Sequence, residues 1–184
     1  MTSTLIITGS PSSSSRCHQL ALLLDERLRI LGIDSSLLDL RTLPAEPLLR
    51  AQADAPEIAA ATQRLAAARG VVIVTPVYKA AYSGLLKTFL DLLPQFGLRD
   101  KVVVPFAMGG TVAHVLSIDY ALRPVLNSLD PLHIVAGLFV LDKQVRLLAD
   151  GELEVDPDLS LKIDAALRSF VDGVRRAEHP VATG

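Results

Sequence analysis

Five short runs of Leu, Ile and Val recur along the chain, at Thr4–Thr8, Ser36–Leu40, Val71–Thr75, Lys101–Ala107 and His133–Leu141. Most are nearly continuous hydrophobes rather than alternating ones, as in parallel strands buried on both faces. Between them the apolar positions take helical spacing. Cys17–Leu31 sets Leu20, Leu24, Leu28 and Leu31 on one stripe, Pro56–Arg69 is rich in alanine, and Gly84–Leu93 and Val112–Leu129 follow. A last helix, Asp158–Arg175, opens after Pro157 and spaces Leu159, Ile163, Ala166, Phe170 and Val174 along one face. Asp158 and Arg175/Arg176 stand at the ends the helix dipole favours. Strand and helix alternate as in βαβ units, which predicts an α/β fold: a doubly wound five-stranded parallel sheet, order 2-1-3-4-5, with helices on both faces. Ligands of such sheets bind beyond the carboxyl ends of the strands, so function is expected in the loops after strands one, three and four.

The expected organisation is a single domain over residues 1–176 with a flexible tail at 177–184; 184 residues, half of them apolar, suit one core. Leu43–Ala55, punctuated by Pro44 and Pro47, reads as a surface crossing. Charged residues nearly balance to a net −2, which gives no nucleic-acid or polybasic membrane footprint. One cysteine, Cys17, cannot form an internal disulfide, and the start MTSTLIIT has no cationic region before its apolar stretch, so a cytoplasmic location is expected. Pro105, Gly109 and Gly110 break the longest uncharged run, and no membrane span is expected. The mean hydropathy of +0.40 is high for such a chain and implies apolar surface covered by other subunits. His18, His114, His133 and His179 show no metal-ligand spacing.

The loop after strand one, Gly9 to Arg16, offers serines at positions 10 and 12 to 15 and a guanidinium at a helix N-terminus, where backbone N–H groups favour an anion. It reads as a phosphate cradle, against the plainer reading of a polar turn with an N-cap serine. Without G-x-G-x-x-G, a terminal monophosphate fits it better than a pyrophosphate, which favours FMN over FAD or tightly held NAD. The loop after strand three, Thr75–Gly84, could present backbone amides and a tyrosine ring to a flat ligand, or be an ordinary turn with Lys79 solvated. Met108–Thr111 follows strand four, and its paired glycines permit close backbone approach to a ligand, although Thr111 could simply cap a helix. Cys17 is not the nucleophile of a Cys-x5-Arg phosphatase loop, which would need arginine at Leu23. Hydride transfer between nicotinamide and flavin needs stacking more than a general acid, so no catalytic side chain is named.

The segments TPVYKAAYSGLLK (Thr75–Lys87), GGTVAHVL (Gly109–Leu116) and DYALRPVL (Asp119–Leu126) closely resemble the flavodoxin-like NADPH-dependent FMN reductases, in particular those of two-component alkanesulfonate monooxygenase systems. The likeness runs over most of the chain and is weakest in Asp34–Ala55 and after Asp142. It implies a homo-oligomer, a tetramer first, that reduces FMN with NADPH (NADH possible). The reduced flavin would pass to a flavin-dependent monooxygenase that desulfonates alkanesulfonates. By the same resemblance, phosphate contacts fall on Ser10, Ser15, Arg16 and Cys17, and isoalloxazine contacts on Pro76, Val77, Tyr78, Lys79, Gly109, Gly110 and Thr111. Many relatives carry arginine where this chain has Ser12. Arg16 would then supply the missing charge.

Pro124 lacks the N–H that would bond the Tyr120 carbonyl, so the helix around it is expected to be irregular. The resemblance places a π-helical insertion at a subunit interface at Tyr120; a proline kink beside a core tyrosine is the alternative. The rival functions are an FMN-prosthetic quinone or azo reductase of the same fold, an electron carrier, whose strongly acidic docking face a net −2 does not supply, and a flavin-free phosphate-binding regulator. Lys79, Arg99 and Arg123 are the candidate bases for the 2′-phosphate of NADPH.

Overall fold

The computed structural model describes residues 3–12, 14–149 and 151–178. Strand β1 (Ser3–Thr8), helix α1 (Arg16–Ile30) and strand β2 (Asp34–Asp39) form the first crossover. A 3-10 turn at Leu40–Thr42 and helix α2 (Ala45–Leu49) lead to α3 (Pro56–Ala67), β3 (Gly70–Tyr78), β4 (Ala81–Tyr82), α4 (Gly84–Leu90) and β5 (Val102–Gly109). An irregular helical stretch then enters α5 (Arg123–Ser128), followed by β6 (His133–Ile134), β7 (Leu138–Leu141), β8 (Val145–Leu147), β9 (Leu153–Val155) and α6 (Pro157–Glu178). The parallel order is β2-β1-β3-β5-β6, with β7 also pairing in parallel with β5. This is the expected 2-1-3-4-5 sheet with its fifth strand in two pieces.

Each buried strand divides its side chains between two cores, as the two-residue period demands. Ile6, Val72, Val74, Val104 and Phe106 pack under α1 and α6, beside Leu20, Leu24, Leu28, Ile163 and Phe170. Leu5, Ile7, Val71, Ile73 and Val103 face α3, α4 and α5, beside Ile58, Leu65, Phe89 and Leu126. Gly70 lets α6 seat directly on β3, since a methyl group there would lie 2.6 Å from Phe170 Cζ and from Thr4 Oγ1. Buried Lys101 closes the far end of α3, where its ammonium donates to Ala66 O at 2.9 Å and Ala68 O at 2.7 Å.

Several expectations need correction. His133–Leu141 is not one strand, because β5 carries Pro105. The ring supplies no N–H to the ladder, and pairing with β5 lapses between Ile134 and Leu138. Gly137 lies against that proline, where a methyl group would be 2.8 Å from both Pro105 Cγ and Pro105 O. Leu43–Ala55 holds a short helix, α2, with Pro44 at its N-cap and Pro47 in its first turn, where a missing N–H costs nothing. Val112–Leu129 is not one helix. It comprises a 3-10 turn at Val112–His114, a π-helix at Ile118–Leu122 and then α5. α6 runs from Pro157 to Glu178, so Ala177 and Glu178 are helical rather than part of a tail; positions 179–184 lie outside the described residues. The short antiparallel pairings β3–β4 and β8–β9 were not expected. No helix among the described residues is long and apolar enough to cross a membrane.

Candidate functional site

The three loops expected to carry chemistry meet at the carboxyl edge of the sheet. Ser10, Ser12, Ser14, Ser15, Arg16 and Cys17 line a cavity of about 200 Å³, with Pro76 and Tyr78 from β3, Met108 from β5 and Asp142 after β7. Ser15 is the N-cap of α1, and its Oγ accepts from Cys17 N at 3.1 Å and His18 N at 3.3 Å. Those two donors are therefore spent on the cap, and the serine hydroxyls and Arg16 supply the rest of the cradle. Ser12 N donates to Ser10 Oγ at 3.4 Å, and Ser12 and Ser14 share a hydroxyl contact at 3.4 Å. Ser13 lies outside the described residues. Hydroxyls and a guanidinium at a helix N-terminus form a donor set that fits a phosphate monoester.

Cys17 is buried in this wall. Burial pushes its thiol up to about 12; the Ser15 hydrogen bond opposes this, Asp142 reinforces it, and Arg16 opposes it. It packs as a neutral thiol, not as a nucleophile.

A single side chain ties the first two loops together. Ser83 Oγ donates to Gly9 O at 2.5 Å and accepts from Leu86 N at 3.1 Å, so it caps α4 while holding the cradle. Ser83 N in turn donates to Thr75 Oγ1 at 3.1 Å. Between Thr75 and Ser83 the chain forms a two-residue hairpin in which Tyr78 pairs with Ala81 across Lys79 and Ala80. Both turn residues have positive φ, 50° and 65°, as a type I′ turn requires, although neither is the glycine or asparagine such turns prefer. Tyr78, Lys79 and Ala80 are exposed, and Pro76 is buried beside the cavity.

Gly109 ends β5 under Phe139, where a methyl group would lie 3.0 Å from Phe139 Cζ and 3.5 Å from Val77 Cβ. Gly110 is exposed, and a methyl group there would come 3.6 Å from Asp142 Oδ2. Thr111 caps the 3-10 turn, accepting from Ala113 N at 3.3 Å. Beyond it, Arg123 N donates to Ile118 O five residues back, which closes the π turn ahead of Pro124. Tyr120 sits in that turn, 79% exposed and not lining the cavity, so it is not a core tyrosine. The turn packs against β4.

Sequence reasoning missed Ser83 and Asp142. Asp142 follows β7 and holds Arg16 by an ion pair of 3.2 Å to Nη2, while its carbonyl accepts from Nη1 at 3.1 Å. Its place at the carboxyl end of the fifth strand was the available signal. Of the 2′-phosphate candidates, Arg99 pairs with Asp130 and Arg123 with Asp119, whereas Lys79 stands at the exposed hairpin tip. A larger cavity of about 610 Å³, lined by Arg69, His133 and Arg176 among others, opens at the opposite, amino edge of the sheet. Doubly wound sheets do not bind their cofactors there. Among the described residues no three His, Cys, Asp or Glu side chains gather as a metal would need.

A doubly wound parallel sheet with a hydroxyl- and guanidinium-lined cavity at its carboxyl edge defines a protein of the flavodoxin-like fold. The family described as NADPH-dependent FMN reductase matches residues 2–146. An FMN reductase (NADPH) of Escherichia coli K12 is 41% identical over 174 residues, covering 95% of this chain and 91% of the relative. Another FMN reductase (NADPH), from Pseudomonas putida KT2440, is 40% identical over 180 residues, covering 97% and 91%. The apo crystal structure of an NADH:FMN oxidoreductase (EMOB) superposes with a TM-score of 0.85 at 34% identity, covering 94% of this chain and 90% of that one. The chain belongs to the NADPH-dependent FMN reductase family, and so to the NAD(P)H:FMN oxidoreductases.

Proposed function

We propose that the protein reduces FMN as a substrate that arrives and leaves, with NADPH as the preferred donor, and supplies reduced flavin to a separate flavin-dependent monooxygenase acting on alkanesulfonates. The observation that carries the reading is the cavity at the N-terminus of α1, where Ser10, Ser12, Ser14, Ser15 and Arg16 meet Pro76 and the exposed Tyr78. FMN held there would supply a two-electron acceptor for the nicotinamide hydride, with the accompanying proton drawn from solvent. Ser10, Ser15 and Arg16 hold the phosphate. Pro76 and Val77, with Gly109 to Thr111, give the ring a flat backbone wall. Lys79, at the exposed hairpin tip and unpaired among the described residues, would be the cation that meets a nucleotide phosphate. The partner monooxygenase rests on the sequence resemblance in Thr75–Lys87, Gly109–Leu116 and Asp119–Leu126.

The same reading makes the protein a homo-oligomer, a tetramer first, joined through the segment after Thr111. Val112, Val115, Leu116 and Tyr120 are 64, 45, 51 and 79% exposed there, an apolar strip a lone subunit would leave in water. By the resemblance, Tyr120→Ala would yield a protein that purifies with retained flavin and releases it slowly. The test is steady-state oxidation of NADPH and of NADH with FMN, FAD, riboflavin or a quinone as acceptor. Saturable NADPH oxidation that requires added FMN is expected. Quinone-dependent turnover without added flavin, from a yellow protein, would replace this reading with a prosthetic-group reductase.

A further inference from the structure

Arg16, the one cation lining the flavin cradle among the described residues, is already held by a carboxylate that lines the same cavity. We propose that Asp142 sets the affinity for FMN by competing with the flavin phosphate for the Arg16 guanidinium, which keeps the flavin exchangeable. This rests on the reading of the cavity as the FMN phosphate site. Asp142 Oδ2 stands 3.2 Å from Arg16 Nη2, and both side chains are roughly two-fifths exposed. A pair that open to water is weak and can be exchanged for another anion. A phosphate monoester offers several acceptor oxygens and more negative charge than a carboxylate, so the two anions compete for one guanidinium. The backbone carbonyl of Asp142 also accepts from Arg16 Nη1, so the arginine stays above the loop whichever anion holds its other nitrogen. The field of Asp142 reaches the cavity floor, where it helps to keep the Cys17 thiol protonated.

The competition makes a prediction that a merely structural role does not. Riboflavin has the same ring and no phosphate, so it should be indifferent to Asp142. Dissociation constants for FMN and riboflavin, measured by quenching of flavin fluorescence, are compared for the protein as it stands and for Asp142→Asn, Arg16→Ala and the double variant. Asp142→Asn should tighten FMN about tenfold, the order expected for freeing one charge-assisted contact, and leave riboflavin unchanged. Arg16→Ala should bring FMN towards riboflavin, and in that background the Asp142→Asn gain should vanish. Asp142→Glu should restore the weak affinity. An unchanged FMN to riboflavin ratio in Asp142→Asn, or a gain that survives without Arg16, would overturn the competition while leaving the FMN site intact. No saturable binding of either flavin by the unsubstituted protein would overturn the reading of the site and this inference with it.

Discussion

Gly137→Ala tests how Pro105 shapes the fifth strand. The added methyl would lie 2.8 Å from Pro105 Cγ, 2.8 Å from Pro105 O and 3.0 Å from Ile118 Cγ2. A flexible side chain could yield, but a backbone carbonyl inside β5 cannot without disturbing the central strand. Overpacking of a fixed core costs about 1–3 kcal/mol, and the rigid neighbour puts this case at about 2–3 kcal/mol. For a domain of this size that lowers the melting temperature by about 4–12 °C. Thermal unfolding followed by circular dichroism, with a urea midpoint to confirm an unchanged m-value, measures it. Gly84→Ala is the matched control. Nothing lies within 4 Å of its added methyl, and as the first residue of α4 it should be neutral or gain up to about 1 kcal/mol. A Gly137→Ala protein within about 0.5 kcal/mol of the parent would refute the steric account.

Further outcomes are expected. Ser83→Ala removes the α4 cap and the bond to Gly9 O together, which should cost about 2–3 kcal/mol and weaken FMN binding, measured by urea unfolding and flavin titration. Ala80→Gly relieves one positive-φ residue of the hairpin and should stabilise by about 0.5–1 kcal/mol after the added freedom of the unfolded chain is counted; a loss of stability would count against strain there. Cys17 keeps its proton in the fold above its ordinary value of 9.0, up to about 12. The unfolded chain therefore releases a proton that the fold retains, and stability falls with rising pH across that window, by up to about 1.4 kcal/mol per unit. Cys17→Ala should remove that slope between pH 8 and pH 10, and the native thiol should resist iodoacetamide at pH 8 until the protein is unfolded.

The parts of the fold that were legible are those whose burial is written continuously. Val71–Thr75 and Lys101–Ala107 need no partner to be recognised as strands enclosed on both sides, and their loops fell at the edge where the cavity lies. The irregularity of the helix was legible for a different reason, since Pro124 removes a donor at a fixed position, while its π form came only from the family resemblance. What escaped depends on contacts far apart in the chain. The break in the fifth strand is caused by Pro105, nearly thirty positions away in sequence, and within His133–Leu141 only Gly137 marks it. β4 is two residues long, too short to show alternation, and its turn uses Lys79 and Ala80 where a hairpin ordinarily shows asparagine and glycine. Ser83 was one more residue of the Thr75–Gly84 loop, because its bond to Gly9 O joins positions far apart in the chain. Asp142 lay just where the family resemblance weakens.

The interrupted fifth strand also bears on how subunits can meet. Its outer side is the sheet's edge, and an unbroken edge strand would offer a row of free N–H and C=O groups to any second sheet. Here the two paired stretches, His133–Ile134 and Leu138–Leu141, are separated by a detour around a proline. The opposite edge, β2, begins and ends in aspartate. The broken rim at β6 and β7 is therefore a poor template for strand addition, and it leaves this side of the sheet without a continuous ladder to extend.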